Sequence, residues 1–160
     1  MSTRRTRMIR TLSATAALAG LFAATALAAT PNKGVYTGFS DQVKLQDHGV
    51  RLRVDKNHKV VHFEIGWRAK CQKPDKFWTA GTQIDNPTNP SSGVFKDHGS
   101  YSSQTSNGFR GDVTITLNGH FTDKTHAQGS WKANVKVYNS KNKKVDTCAV
   151  STHWHVGPQA

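Results

Sequence analysis

The sequence predicts an all-β protein, either a single antiparallel β-sandwich or a small β-barrel, closed by one disulfide. Apolar and polar residues alternate along several stretches of the chain, which is the pattern of strands with one buried face. Polar, turn-rich segments separate these stretches at fairly even spacing, as in sandwiches and barrels. No window after residue 28 keeps a helical period over three turns.

The N-terminal residues have the features of a secretory signal peptide. Four arginines in the first ten residues form a basic head, and an alanine-rich apolar run follows over 12–28 without Asp, Glu, Lys or Arg. Ala26-Leu27-Ala28 is a small-x-small cleavage site. We expect residues 1–28 to be removed on secretion, 29–33 to form a flexible tail, and 34–158 to form a single β domain. The run is short for the alternative, an uncleaved membrane anchor.

Alternation defines the strands of the first half. Residues 34–38 predict a short first strand, and a hairpin is expected over 43–54 with its turn at 47–49. The longest strand is expected over 59–71, where one parity is apolar and the other is largely charged. Residues 77–84 predict a further short strand.

The second half holds the clearest strands. Residues 85–93 are rich in Pro, Asn and Ser and predict a loop, and only brief pairing is expected, over 100–103. Three alternating stretches then predict long strands at 113–121, 131–137 and 148–156. The apolar residues at alternate positions of these three strands make up much of the predicted core.

The two cysteines, Cys71 and Cys148, are expected to form a disulfide, the default for a single pair in an exported chain. This bond would close a loop of about 77 residues, which the chain-entropy model values at roughly 4 kcal/mol. Cys71 lies on the apolar parity of its strand, as a buried disulfide requires.

The charge balance favours an anionic partner. The chain has 22 Lys+Arg and 10 Asp+Glu, and the leader holds four of the arginines, so the mature chain carries 18 minus 10, or +8. Such a charge attracts cell-wall polymers, acidic polysaccharide, phospholipid headgroups or nucleic acid, although it also serves solubility. Six basic residues on outward parity would form a basic sheet face if their strands are neighbours. They are Arg51, Arg53, Arg68, Lys70, Lys132 and Lys136.

An anionic cell-wall or extracellular polymer is the partner that this face predicts. Specific nucleic-acid binding is not expected, because no recognition helix is predicted and the aromatic residues fall mainly on inward parity. No apolar run after the leader is long enough to span a bilayer, and we expect a monomer. The alternative is that the basic residues are the ordinary solvated face of a half-exposed sheet.

A second function class is metal binding. His153 and His155 are two apart on one strand and therefore project from the same face, where two imidazoles can bind one metal ion. A third ligand is needed, and His62 and His120 lie on the outward parity of their strands. The alternative is that these are solvated histidines on a polar face.

Catalysis has little support, and we expect neither a catalytic residue nor a cofactor. Only Glu64 among the scattered carboxylates is in mid-strand, whereas a glycosidase needs two carboxylates across a cleft. No Gly-x-Ser-x-Gly elbow is present for Ser-His-Asp chemistry. One acid–base cluster, formed by His120, Asp123 and His126, keeps a small hydrolase as a third function class.

The pair Phe77-Trp78 follows a lysine-containing turn. An exposed Trp beside lysines can stack on a sugar ring. The favoured interpretation is that one of the pair completes the core and the other covers its edge.

Short motifs in the mature chain also give a resemblance. They are Gly34-x-Tyr36-x-Gly38, Asp97-His98-Gly99-Ser100, Asn118-Gly119-His120-Phe121, Ala127-x-Gly129-x-Trp131, and Cys148 with Trp154 six residues on. In these the chain resembles a group of small exported bacterial β-domains of actinobacterial type, uncharacterised as a group, with a signal peptide and two cysteines. The resemblance covers most of the mature chain and implies export and fold, but no catalytic residue and no ligand. The His153-Trp154-His155 ending departs from it, since a small residue after the Trp is expected.

Overall fold

A computed structural model describes residues 28–42 and 49–159. Residues 1–27 of the predicted signal peptide, and the first arm and most of the turn of the predicted hairpin at 43–54, lie outside the described residues. In the described ranges the secondary structure is all β, and they contain no helix that is long and apolar enough to cross a membrane.

The described residues form nine strands in one antiparallel sheet. The strands are β1 (Gly34–Ser40), β2 (Gly49–Val54), β3 (Val60–Cys71), β4 (Phe77–Asp85), β5 (Thr88–Ser91), β6 (Val94–Gln104), β7 (Arg110–Phe121), β8 (Ala127–Tyr138) and β9 (Lys144–Pro158). The prediction of an all-β antiparallel fold with one disulfide is confirmed.

The sheet is a meander whose last strand returns to the first. The strand order is β4-β3-β2-β1-β9-β8-β7-β6-β5. Each described strand is hydrogen-bonded to the next along the chain except at the step from β4 to β5, and β9 pairs with β1. This is the connectivity of an up-and-down barrel with one interruption, here called the seam, between β4 on one side and β5 and β6 on the other.

Along the seam, side-chain hydrogen bonds join β3 and β4 to β5 and β6. The Asn89 side chain accepts from the Val60 backbone N–H and donates to the Val60 carbonyl, both at 3.0 Å. Further along, Trp67 Nε1 donates to Thr82 Oγ1 at 2.8 Å, and Thr82 Oγ1 is 2.7 Å from the Tyr101 hydroxyl. Polar groups that an interrupted sheet would leave unpaired are thereby satisfied.

The interior is filled by aromatic side chains. The Phe63 ring of β3 has its centroid 5.2 Å from that of Trp154 in β9, and 6.3 Å from those of Trp131 in β8 and Phe95 in β6. β3 therefore packs across the interior against the opposite wall. The largest fully buried side chains are Trp67, Trp131, Trp154, Phe63, Phe95 and Phe121. Because side chains fill the interior, we expect a ligand to bind on the outer surface.

Two paired glycines make room for these aromatics. Gly119 of β7 lies opposite Gly129 of β8. A Cβ on Gly119 would overlap the Phe95 ring, and a Cβ on Gly129 would overlap the Asn118 carbonyl and the Trp154 ring. Both positions face inward, so the glycines are required by close packing.

Two predicted elements need correction. Residues 85–93, predicted as a loop, contain the short strand β5, and 94–104 form one continuous strand, β6. The inward positions of β6 beyond Phe95 are Asp97, Gly99, Tyr101 and Ser103, all half-buried. Because this part of β6 borders the seam, its inner face tolerates polar residues and lacks the apolar alternation by which strands are recognised.

β2 pairs with the first strand on one side and with β3 on the other. Tyr36 of β1 lies opposite Leu52 of β2. The segment predicted as a tail donates backbone hydrogen bonds to the β7–β8 region, from Ala29 N to the Phe121 carbonyl at 3.0 Å and from Asn32 N to the Lys124 carbonyl at 2.9 Å.

The Cys71–Cys148 disulfide is present, as predicted, and it joins β3 to β9. The two cysteines are directly opposite each other where the end of β3 pairs with β9. Toward the start of β3, strands β2 and β1 lie between β3 and β9. Near the point where β3 and β9 separate, the Gln42 side chain donates to the Arg68 carbonyl at 2.7 Å and accepts from the Arg68 N–H at 3.2 Å. A disulfide is typical of proteins that fold in an oxidising environment.

Candidate functional site

The six predicted basic residues all lie on outward positions, but they form two groups. In the first group, Arg51 and Arg53 of β2 are directly opposite Glu64 and His62 of β3. His62 Nδ1 is in turn 2.8 Å from Asp85 Oδ1. These two arginines therefore belong to a surface of mixed charge.

The second group meets where β3 pairs with β9. Lys70 lies opposite Ala149 of β9, and Ala149 lies opposite Asn134 of β8. Lys132 and Lys136 flank Asn134 on the same face of β8, since alternate residues of a strand share a face. Two strand spacings, about 10 Å, separate the backbones of Lys70 and Asn134. The basic face is the set Arg68, Lys70, Lys132 and Lys136.

Arg68 is a half-buried member of the basic face with a side-chain contact of its own. Its guanidinium carbon lies 3.7 Å from the centroid of the Phe77 ring, a cation–π contact. Gln42 hydrogen-bonds both polar groups of the Arg68 backbone. The contact with Phe77 favours one position of the charge and so lowers the entropy that Arg68 would lose on binding.

Positive charge continues across the outer surface of β6 to β9. The outward positions of these strands include four Lys or Arg residues, four histidines and one carboxylate. They are Lys96, Arg110, Lys132 and Lys136, then His98, His120, His153 and His155, then Asp112. Asp112 Oδ1 is 3.2 Å from Arg110 Nε, so the one acidic group is already paired. The remaining outward positions are mainly Ser, Thr, Asn and Gln.

A shallow groove of ≈ 670 Å³ crosses one end of this surface. His120, His153, His155 and Lys96 line it. Gln128 lies between His155 and His120 in the register of the sheet, and its Nε2 is 3.5 Å from His120 Nε2. Asp41 also lines the groove, so its walls carry a carboxylate as well as the Lys96 ammonium group and several hydrogen-bonding side chains.

The predicted metal ligands are only partly brought together. His153 and His155 share the outer face of β9, whereas β2 and β1 lie between β9 and the part of β3 that holds His62. His153 Nδ1 is 3.3 Å from Asp41 Oδ2. In the described ranges no group of three or more His, Cys, Asp or Glu residues is placed to hold a metal ion. Metal binding by His153 and His155 stays a prediction.

The predicted acid–base cluster is a turn. Asp123 Oδ1 accepts from the Thr125 N–H at 2.6 Å, the Thr125 hydroxyl at 2.8 Å and the His126 N–H at 2.8 Å. These hydrogen bonds, the Thr125 N–H first, lower the pKa of Asp123 to about 2. His120 contacts Gln128 instead. His126 Nδ1 also lies 3.0 Å from Asp123 Oδ2, and these contacts together stabilise the β7–β8 turn.

The aromatic pair after β3 divides between core and surface. Trp78 is buried, and Phe77 is 46 % exposed beneath Arg68. The exposed aromatic is therefore the phenylalanine, which positions a cation.

One feature of the site was missed in sequence reasoning, namely that β3 pairs directly with β9. The predicted disulfide could have indicated this pairing, because a bond between Cys71 and Cys148 also brings their neighbours Lys70 and Ala149 together. The alternation of residues along the strands could not show that Lys70 and Arg51 belong to different surface groups, since both are basic and lie at outward positions.

Fold and surface define a disulfide-linked antiparallel β protein with a filled core and a basic outer face. Comparison with known proteins gave no match to a family model, a curated protein or a solved structure.

Proposed function

We propose that the protein is an exported, non-enzymatic β domain that binds an anionic polymer of the cell wall or extracellular space through the basic face. The observation that carries this proposal is the pairing of β3 with β9 at the disulfide. It puts Lys70 and Arg68 on one continuous surface with Lys132 and Lys136.

The chemistry of the surface supports a polymer in preference to a small ligand. Guanidinium and ammonium groups bind carboxylate and phosphate through charge-assisted hydrogen bonds. The surrounding Ser, Thr, Asn and Gln side chains provide further donors, and the filled interior leaves the outer sheet as the contact area. At the outward positions of the described strands β6 to β9, Asp112 is the one acidic side chain that would repel an anion.

Export is supported by three features of different kinds. The basic head, the apolar run and the Ala26-Leu27-Ala28 site are those of a signal peptide. The disulfide fits an oxidising compartment. The resemblance to exported bacterial β-domains points the same way.

Retention of the mature protein on isolated cell wall, heparin, polyphosphate and DNA tests the proposal. We expect retention at about 0.01 M salt and release by about 1 M, since the Debye length falls from about 30 Å to about 3 Å. Weaker retention on DNA than on the other polymers is expected. Binding to none of them, or binding that survives 1 M salt, would contradict an electrostatic polymer site.

A further inference from the structure

A second groove, on the outer surface of β1 to β4, has a floor of glycine. It has a volume of ≈ 560 Å³, and Gly49 of β2, Gly66 of β3 and Gly81 of β4 line it. Gly66 is directly opposite Gly81, and Gly49 is directly opposite Phe39 of β1. Side chains are therefore missing from a trough that crosses three adjacent strands. We call it the glycine groove.

Packing does not explain Gly49 and Gly81. No described atom outside the neighbouring residues lies within 4 Å of a Cβ built on Gly49 or Gly81. Neither residue is among those with positive φ. By contrast, a Cβ on the nearby Gly38 would overlap the His155 carbonyl, so that glycine is required by the fold. Glycine weakens a strand and marks positions where a ligand or another backbone approaches closely.

The walls of the groove combine an aromatic ring with a donor and an acceptor. Phe39 is 56 % exposed and lines one end. Arg51 and Glu64, opposite each other in the register of β2 and β3, line one side. Their charges balance, so the groove does not select for a charged ligand. The volume is in the range of small-ligand sites.

We infer that the glycine groove binds a pyranose ring of a neutral oligosaccharide. The C–H face of the ring packs on Phe39, and the bare backbone of the glycines allows it to approach the sheet. Adjacent hydroxyls donate to the Glu64 carboxylate and accept from the Arg51 guanidinium, which are complementary in hydrogen bonding. The groove shares no residue with the basic face, so this site is separate from the proposed polymer site.

Titration with cellohexaose and chitohexaose, followed by NMR chemical shifts, tests the site in the mature protein. Gly81→Thr fills the trough, and Phe39→Ala removes the stacking face. We expect each to weaken sugar binding about tenfold or more. The matched control is Ser100→Thr in β6, which introduces the same residue at an exposed, outward strand position outside the groove.

Stability separates a binding role from a structural one. Threonine favours strands over glycine and serine, so Gly81→Thr and Ser100→Thr are both expected to keep or raise the thermal midpoint. Only Gly81→Thr should lose sugar affinity. Absence of binding to both sugars at millimolar concentration overturns the inference, as does unchanged affinity in Gly81→Thr. A Phe39→Ala effect on self-association alone, measured by sedimentation, would assign the groove to a second copy of the chain and overturn it too.

Discussion

At the scale of single residues, Asp123 fixes a turn through its own carboxylate. Its three acceptor contacts to Thr125 and His126 hold the β7–β8 turn, to which the N-terminal segment is also hydrogen-bonded through Lys124. Asp at the start of such a turn is recognisable in the sequence, because its side chain can replace a backbone acceptor. The same contacts favour the charged carboxylate.

The pH dependence of stability follows from the pKa of Asp123. That pKa is about 2 in the folded protein, below the value near 3.9 of an unfolded chain. The folded state therefore binds fewer protons between about pH 4 and pH 2, and this contribution to stability is present above pH 4 and lost as the pH falls toward 2. Urea denaturation at pH 6, 4 and 2 should show this loss in the wild type.

An Asp123→Asn variant isolates the effect. We expect lower stability at pH 6 and a flatter fall below pH 4, with Asp97→Asn as control, whose carboxylate accepts from its neighbour His98. Identical pH profiles for wild type and Asp123→Asn would show that the turn does not depend on the charged carboxylate.

At the scale of elements, the seam depends on a short chain of hydrogen bonds. Trp67 donates to Thr82, and the Thr82 hydroxyl contacts the Tyr101 hydroxyl across the seam. Trp67 is fully buried, so its indole N–H has no access to water if Thr82 is lost. Burial also raises the pKa of Tyr101, which keeps its hydroxyl protonated.

Thr82→Val tests this chain at nearly constant shape. It leaves the Trp67 N–H unpaired, which should lower the free energy of unfolding by about 1–3 kcal/mol in urea denaturation. Tyr101→Phe keeps the Trp67–Thr82 bond and should cost less. Equal stability of Thr82→Val and wild type would mean that this chain of hydrogen bonds does not stabilise the seam.

The seam also explains which elements sequence reasoning found. Four strands, namely β3, β7, β8 and β9, have one buried and one solvent-exposed face. The resulting alternation of apolar and polar residues predicted their bounds within a few residues. β6 borders the seam, and its half-buried Asp97 and Gly99 break the alternation. β5 is four residues long and contains Pro90, so composition favoured a loop.

At the scale of the whole molecule, the disulfide connects two strands that are far apart in the sequence. Cys71 and Cys148 are 77 residues apart, and their bond holds β3 to β9 at the basic face. Removing it by Cys71→Ala/Cys148→Ala should lower stability by roughly 4 kcal/mol in the chain-entropy model. Guanidinium denaturation of this variant against the oxidised wild type measures the difference, and unchanged midpoints would refute a stabilising bond.

Strand order is the property that parity could not predict. Hairpin neighbours follow from short turns, whereas the pairing of β9 with β1 and β3 joins distant parts of the chain. Without the strand order, all six outward basic residues were predicted to share one surface. The fold separates Arg51 and Arg53, which face Glu64 and His62, from the four residues of the basic face.

The most direct test of the account compares two triple variants that remove the same charge. Lys70→Gln/Lys132→Gln/Lys136→Gln neutralises the basic face, and Lys56→Gln/Lys59→Gln/Lys124→Gln neutralises exposed lysines in the β2–β3 and β7–β8 turns. Fluorescence anisotropy of labelled polyphosphate and polygalacturonate, at low salt, gives the affinity of each protein. We expect the basic-face variant to lose about tenfold or more in affinity while the turn variant stays close to wild type. Equal losses in the two variants would show that net charge alone governs binding, and would contradict a polymer site at the β3–β9 junction.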